Sequence, residues 1–206
     1  MIISDAGERL TFKSHASLVT SLSSHKSHNS RYGCFETEAD IQAVVSGGIL
    51  NGQLPLDPYG IYFVIASSDV NANGLCSTRC EFHNYVNIAG VAAKYAFIGD
   101  PQRCPNQCAL QFSGQPLFAT PSGNYRTDAI ISWVAHNISG VVSSPLLDGW
   151  FDKRGRENSD KCVKVLGPTY QTPNGGLANI NLNGRDYILQ YNWVNANGGY
   201  CALTYP

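Results

Sequence analysis

Cysteine is the residue type with the clearest chemical potential in this sequence. Four of the seven cysteines stand in two close pairs, Cys76 with Cys80 and Cys104 with Cys108. Paired cysteines form disulfide bridges in oxidising compartments, whereas their thiolates bind zinc where reducing conditions hold. Seven cysteines in 206 residues favour disulfides and export over a set of buried, reduced thiols.

Spacing alone does not determine which cysteines are joined. We expect short bridges within residues 76–80 and 104–108 and a longer bridge between Cys162 and Cys201, because each closes a loop and restricts the unfolded chain. An odd count leaves one thiol over. Cys34, which lies far from the other six in the sequence, is the candidate for that unpaired thiol.

His136 is the second candidate, on a helix that apolar spacing predicts over residues 127–143. At 3.6 residues per turn, His136 falls beside the main aliphatic stripe and not on it. That stripe consists of Ile130, Val134, Ile138 and Val141. A single helical histidine is usually packed or hydrogen-bonded, so this pattern alone assigns no role to His136.

Two further histidine patterns favour structural interpretations. His83 follows Cys80 closely and resembles part of a zinc knuckle, but a fourth ligand at normal spacing is missing. A disulfide loop with a structural histidine is therefore the favoured interpretation. The Ser-rich stretch 14–30 contains His15, His25 and His28 without a Cys or carboxylate at ligand spacing, which favours an exposed loop over a metal site.

Several elements can be predicted around these residues. Thr37 and Asp40 form a capping-box pattern before a helix over residues 37–49. The apolar, β-branched and aromatic run 60–66 predicts a strand that is buried on both faces. Weaker strand patterns cover residues 95–98 and 109–112, and either Thr127 or Asp128 is expected to cap the second helix.

An aromatic pattern near the end of the chain has two interpretations. Tyr187, Tyr191 and Trp193 alternate with other residues, which predicts one aromatic face of a strand over residues 187–194. Such a face suits a carbohydrate-binding module, but aromatic side chains on a strand more often belong to a core. We therefore favour the core.

Composition and charge limit the classes of function. With 43% apolar residues and 11% aromatics, the chain is expected to fold as a globular α/β domain with a mixed sheet flanked by the two helices. A net charge of -1 offers no basic surface for nucleic acid. The apolar runs are much shorter than the roughly 20 residues of a membrane span, so none is expected.

Five ordered segments resemble the EXORDIUM family, also called phosphate-induced protein 1; they are residues 59–70, 76–83, 104–109, 144–151 and 183–189. The resemblance implies an EXORDIUM-like domain over residues 36–206 after a poorly defined segment 1–35. It also implies a secreted protein of the cell wall or apoplast, linked to growth and cell expansion, with no agreed biochemical activity. Family members carry a signal peptide and an early apolar strand, and we expect this chain to lack both because its start is truncated.

The family's helix resembles the active-site helix of zincin metallopeptidases, which implies a zincin-like fold. In that pattern a metal-binding His is followed directly by a Glu that acts as general base, and a second ligand stands four residues after the His. This chain keeps His136 but has Asn137 at the base position and Gly140 at the second ligand position. Glu157 and Asp160 match acidic positions of a later family segment and are the remaining candidate ligands.

The residues and the resemblance together predict a pseudoenzyme with a vestigial metal site at His136, Glu157 and Asp160. The expected function is binding of a cell-wall component or an extracellular protein, with no catalytic residue and no required cofactor. The alternative is a zinc-dependent metallohydrolase of the zincin type that uses the same three residues with a base not yet identified.

Overall fold

The computed structural model describes residues 16–22 and 35–204. Cys34 and the three histidines of the Ser-rich stretch lie outside these residues. The elements in chain order are β1 (Ala16–Leu22), β2 (Phe35–Glu36), α1 (Glu38–Leu50), β3 (Ile61–Ala66), β4 (Asn71–Ala72), β5 (Glu81–Ile88), β6 (Val91–Ile98), a 3-10 turn (Pro101–Arg103), α2 (Pro105–Cys108), β7 (Gln111–Phe112), β8 (Gln115–Pro116), α3 (Tyr125–Ser143), a second 3-10 turn (Asp160–Cys162), β9 (Tyr170–Gln171), β10 (Leu177–Ala178), β11 (Ile180–Leu182), β12 (Arg185–Tyr187), β13 (Asn192–Val194) and β14 (Tyr200–Ala202).

A four-stranded mixed sheet lies at the centre, in the order β1-β3-β6-β5. Strands β1, β3 and β6 are parallel to one another, and β5 runs antiparallel to β6 at the edge. The predicted α/β class with a mixed sheet is thus confirmed. Strand β1 lies within the Ser-rich stretch, so the expectations of a loop there and of a missing early strand are both wrong for residues 16–22.

Helices α1 and α3 pack on opposite faces of this sheet. This follows from the alternation of side chains along β3, in which successive residues point to opposite faces. Tyr62 and Val64 join the core cluster that contains residues of α1. Phe63, which points the other way, joins the cluster that contains residues of α3. Both faces of β3 are therefore buried, which is why its sequence has no polar side.

Helix α1 forms where its local signals predict it. The Thr37 side chain accepts a hydrogen bond from the Asp40 backbone N–H at 3.2 Å, and the Asp40 carboxylate accepts one from the Thr37 N–H at 2.7 Å. This reciprocal pair satisfies two backbone donors that a helix start leaves open. The buried residues of α1 are Ile41, Val45 and Ile49, which are spaced four residues apart on one face of the helix.

Helix α3 starts earlier than the sequence predicted. Asn124 is the cap, because its side-chain oxygen accepts from the N–H groups of Arg126 and Thr127. The expected cap at Thr127 or Asp128 is wrong. The Asp128 carboxylate instead accepts from the backbone N–H and the hydroxyl of Ser122, at 3.0 and 2.7 Å.

The buried face of α3 also differs from the predicted aliphatic stripe. Ile138 is 40% exposed, while the adjoining face, which carries His136, is buried. Its buried residues are Asp128, Ala129, Ser132, Trp133, His136, Asn137, Ser139, Gly140 and Val141. The polar side chains on this face have partners in neighbouring segments, and such partners reduce the cost of burying them.

The bridges of the two close cysteine pairs run across the pairs. Cys76 is joined to Cys104 and Cys80 to Cys108, with Cα–Cα distances of 5.7 and 5.3 Å. The expected local bridges are therefore wrong, because the turn at residues 76–80 and helix α2 lie face to face. The third bridge joins Cys162 to Cys201, the pair that the sequence favoured.

Residues 187–194 do not form one strand. They are divided between β12 and β13, which belong to two separate hairpins. Between them, the N–H groups of Leu189 and Gln190 donate to the side chains of Asn179 and Ser132 and not to a strand partner. The predicted aromatic strand face is therefore wrong. No helix in the described part of the chain is long and apolar enough to span a membrane.

Candidate functional site

Strand β5 brings two titratable side chains to the α3 side of the sheet. Successive strand residues point to opposite faces, so Glu81 and His83 share one face. Phe82 and Val86 point the other way and pack against the core on the α1 side. The β5–β6 hairpin turns at Ala89 and Gly90, both with positive φ, as a two-residue hairpin turn requires.

Helix α3 places His136 and Gly140 one turn apart, facing β5. A Cβ atom on Gly140 would lie 2.7 Å from Glu157 Oε2 and 2.8 Å from His83 Nε2. Both distances are shorter than a nonbonded contact allows. Glycine at this position therefore lets the side chains of Glu157 and His83 reach the surface of the helix.

The segment 157–160 supplies the remaining members of the site. The Asp160 carboxylate accepts from the Glu157 backbone N–H at 3.0 Å. The segment is attached to α3 by two buried hydrogen bonds, from the Ser159 hydroxyl to the His136 carbonyl at 3.1 Å and from the Ser139 hydroxyl to Asn158 Oδ1 at 2.9 Å. Two residues after this segment, Cys162 is joined by a disulfide to Cys201.

The five side chains form two neighbouring groups. His83 Nε2 lies 2.7 Å from Glu157 Oε2, and both side chains are less than 10% exposed. His136 Nε2 lies 3.4 Å from Glu81 Oε1 and 3.3 Å from Asp160 Oδ1. Two imidazoles thus face three carboxylates on the inner side of α3.

Burial and charge act in opposite directions on His136. Burial lowers its pKa, but the Glu81 carboxylate and the hydrogen bond to Asp160 outweigh burial and raise the pKa to about 9. Burial raises the pKa of Glu81, an effect that His136 and the Asn137 amide partly offset. The pKa of Asp160 is lowered, because its bonds to His136 and to the Glu157 N–H outweigh burial. At neutral pH, His136 is therefore a cation held by carboxylates.

The arrangement does not match a metal site with converging ligands. Within residues 16–22 and 35–204, the set of three or more potential ligand atoms within 4.8 Å of one another consists of Cys76, Cys104 and Cys108. Those sulfurs are in disulfides. The 2.7 Å separation of His83 and Glu157 is a hydrogen bond, shorter than two ligands keep around one zinc ion.

The position that a catalytic base would occupy is also unsuitable. Asn137 is completely buried, and its side-chain amide donates to the Trp133 carbonyl at 2.8 Å. An amide does not accept a proton at neutral pH. The residue next to His136 therefore has a packing role in this chain.

The sequence-predicted ligands lie near one another but are divided between the two groups. His136 contacts Asp160, as expected if both bind one metal. Glu157, the third predicted ligand, contacts His83 instead. Sequence reasoning missed Glu81 as a member and interpreted His83 only as a structural histidine. The signal that could have found them is the spacing Glu81-Phe82-His83, two titratable residues on one strand face.

The comparisons with known proteins agree with the resemblance seen in the sequence. Protein EXORDIUM-like 3 of Arabidopsis thaliana is 27% identical, over 76% of this chain and 54% of the relative. Protein EXORDIUM-like 5 of the same plant is 26% identical, over 79% of this chain and 52% of the relative. This chain thus spans about half the length of these curated relatives.

Family and fold comparisons differ in what they support. No solved structure matches the chain significantly, so the zincin-like part of the expected fold stays a prediction. The family described as "Phosphate-induced protein 1 conserved region" matches residues 3–199, which is nearly the whole sequence. The chain belongs to the phosphate-induced protein 1 family.

Proposed function

We propose that this protein is a secreted, non-catalytic member of its family, a pseudoenzyme that acts by binding a cell-wall component or an extracellular protein. The observation that carries the proposal is the inner face of α3. There, Asn137 occupies the base position and the His83–Glu157 pair fills the space beside Gly140. A side chain at residue 140 cannot reach a metal without displacing this pair.

The chemistry of the site supports binding over catalysis. A positioned general base typically contributes about 10²–10⁴-fold to a hydrolytic rate, and the amide of Asn137 does not supply it. The carboxylates of Glu81, Glu157 and Asp160 each lie within ion-pair distance of a histidine. Their charge is thus used within the protein.

The disulfides support an extracellular location. Three bridges join six of the seven cysteines, and such bridges persist where the compartment is oxidising. The link to growth and cell expansion rests on the family resemblance. The names of the Arabidopsis relatives specify no ligand, so the partner is proposed only by class.

A zinc-dependent hydrolase is the second candidate, and one observation favours it. Two ligands about 2.0–2.2 Å from a tetrahedral zinc ion lie roughly 3.3–3.5 Å apart. The distances from His136 Nε2 to Glu81 and to Asp160 are 3.4 and 3.3 Å. These three residues would hold the ion, which would activate a bound water, but the two carboxylates would first have to move toward each other.

A hydrolysis assay tests the proposal. We expect the purified protein to cleave neither peptide nor ester substrates above the buffer rate, with or without added zinc. His136→Ala should leave that background unchanged. Zinc-dependent turnover that a chelator stops and that His136→Ala abolishes would contradict the proposal and establish the second candidate.

A further inference from the structure

The four cysteines of the two crossed bridges form one compact sulfur cluster. Cys104 and Cys108 lie at the two ends of α2, and their Sγ atoms are 3.3 Å apart although they belong to different bridges. Cys76 Sγ lies within 4.8 Å of both, and Cys80 Sγ is bonded to Cys108. All four sulfurs therefore meet in one place, and Cys80 directly precedes Glu81 of the histidine site in the chain.

We propose that these four cysteines are a latent zinc site, which is closed while the two bridges are oxidised and binds one Zn²⁺ through four thiolates when the bridges are reduced. The spacing within each pair is C-x₃-C, which lies within the range that structural Cys₄ zinc sites use. The spacing alone does not show that the two pairs are close in space. The crossed bridges do show it, because they hold the two pairs face to face. Local bridges would not require the pairs to meet.

The distances require only a small rearrangement. Four thiolates about 2.3 Å from a tetrahedral zinc ion lie roughly 3.8 Å from one another. The Cys104–Cys108 sulfur separation of 3.3 Å is already close to that value. Once reduced, the two bonded sulfur pairs separate by less than about 2 Å to reach it.

The backbone on both sides suits a metal site. The turn before Cys80 is held by Gly74, whose carbonyl accepts from the N–H groups of Thr78 and Arg79. On the other side, Cys104 and Cys108 are one helical turn apart, a spacing that places two ligands on one face of a helix. Each pair thus presents both sulfurs in the same direction.

A groove gives solvent access to the cluster. It has a volume of about 560 Å³ and is lined by Ser68, Asn71, Leu75, Cys76, Gln102, Arg103 and Cys104. The Cys76–Cys104 bridge forms part of its wall. The Arg103 guanidinium, which donates to the Ser68 carbonyl at 3.1 Å, lies beside the groove and would offset part of the negative charge of four thiolates.

The redox step needs a dithiol as reductant. Two dithiol molecules each give two electrons and two protons, so that two disulfides become four thiols and the dithiols become disulfides. Zn²⁺ then replaces the four thiol protons, which are released to solvent. Newly made chains hold reduced cysteines before an oxidising compartment forms their bridges.

The test compares two variants that each remove one bridge. The native protein, Cys76→Ser/Cys104→Ser and Cys162→Ser/Cys201→Ser are reduced with dithiothreitol, freed of it by gel filtration without oxygen, and titrated with Zn²⁺ against a chromophoric chelator. Co²⁺ serves as a spectroscopic probe of tetrahedral sulfur coordination. Alkylation counts the thiols that the metal protects, and the melting temperature reports folding.

The native protein should bind one Zn²⁺ with four protected thiols, and so should Cys162→Ser/Cys201→Ser. Cys76→Ser/Cys104→Ser should bind Zn²⁺ at least about a hundredfold more weakly. Mutating a residue that only supports a metal ligand can already lower metal affinity by about that factor, and this variant removes two ligands. The proposal is wrong if the reduced native protein binds no zinc, or if both variants lose it equally. It is also wrong if the reduced chain is unfolded and zinc neither binds nor raises its melting temperature.

Discussion

The two faces of the central sheet bury different kinds of residue. On the face of α1, the core contains Ile41, Val45 and Ile49 against aromatic and aliphatic residues of β3 and β6. On the face of α3, apolar residues are joined by two imidazoles, two carboxylates that are at most 13% exposed, and several hydroxyls and amides. The third carboxylate, Asp160, lies at the edge of this set with its side chain 43% exposed. Helix α1 buries three aliphatic side chains, whereas α3 also buries ionisable ones, Asp128 and His136.

The contrast bears on function because burying charge is costly. An apolar pair of similar volume often stabilises a protein as well as a buried ion pair does, or better. Stability alone therefore does not explain the α3 face. We interpret its histidines and carboxylates as what remains of a functional centre, now held by internal pairing.

The largest effect is expected when one partner of the buried pair is removed. Glu157→Ala leaves His83 without its partner in a site that is less than 10% exposed. We expect the free energy of unfolding to fall by about 3–5 kcal/mol, measured by urea denaturation. His83→Leu/Glu157→Leu should recover much of this loss, because neither partner is then left unpaired.

The control for this variant is an ion pair at the surface. Arg156 Nη2 lies 2.7 Å from Asp152 Oδ2, with side chains 42% and 16% exposed. Arg156→Ala should cost no more than about 1 kcal/mol. Equal losses in the free energy of unfolding for Glu157→Ala and Arg156→Ala would mean that the buried pair beside α3 contributes no more to stability than a surface pair.

A pH dependence of intermediate size should come from His136. Its pKa of about 9 in the folded protein lies above the ordinary value of 6.5, so its contribution is complete below about pH 6.5 and is lost as pH rises through 9. The titratable groups beside it are Glu81 and Asp160, while His83 and Glu157 lie one helical turn away, against Gly140. The raised pKa of Glu81 acts in the same direction, since its ionisation at higher pH costs stability.

Denaturation at a series of pH values measures this dependence. A difference of about two and a half pH units corresponds to about 3 kcal/mol between pH 6 and pH 10. His136→Gln should lower stability at pH 6 and flatten the curve above it. A wild-type curve that is flat, or that rises with pH relative to His136→Gln, would contradict the assigned charge.

The smallest expected effect comes from a matched pair of helical glycines, one on each side of the sheet. A Cβ at Gly47 in α1 meets no atom within 4 Å, whereas a Cβ at Gly140 in α3 would overlap with Glu157 and His83. Gly47→Ala should stabilise the protein by up to about 1 kcal/mol through helix propensity. Gly140→Ala should destabilise it, because overpacking typically costs about 1–3 kcal/mol. Melting curves that shift in the same direction for both variants would contradict the described packing.

Local signals were sufficient for the α1 side of the fold. The capping box at Thr37 and Asp40 involves residues three apart, so the sequence alone contains its geometry. The strand Ile61–Ala66 is apolar throughout because both of its faces are covered. In each case the physical cause lies within a few residues of the chain.

The α3 side depends on contacts that are distant in the sequence. Glu157 meets His83 across 74 positions, and the bridges join cysteines 28 positions apart instead of four. The aliphatic stripe of α3 suggested one buried face, but partners from β5 and residues 157–160 satisfy the polar face and allow its burial. Such partners are known only once the chain has folded.

The most direct test of the central claim is zinc binding by the oxidised protein. Calorimetric titration of native, air-handled protein at neutral pH, in parallel with His136→Ala, measures whether the α3 site holds a metal. The account predicts no stoichiometric zinc binding by either protein, because His136 is already held by Glu81 and Asp160. One zinc ion per chain in the native protein, lost in His136→Ala, would contradict it.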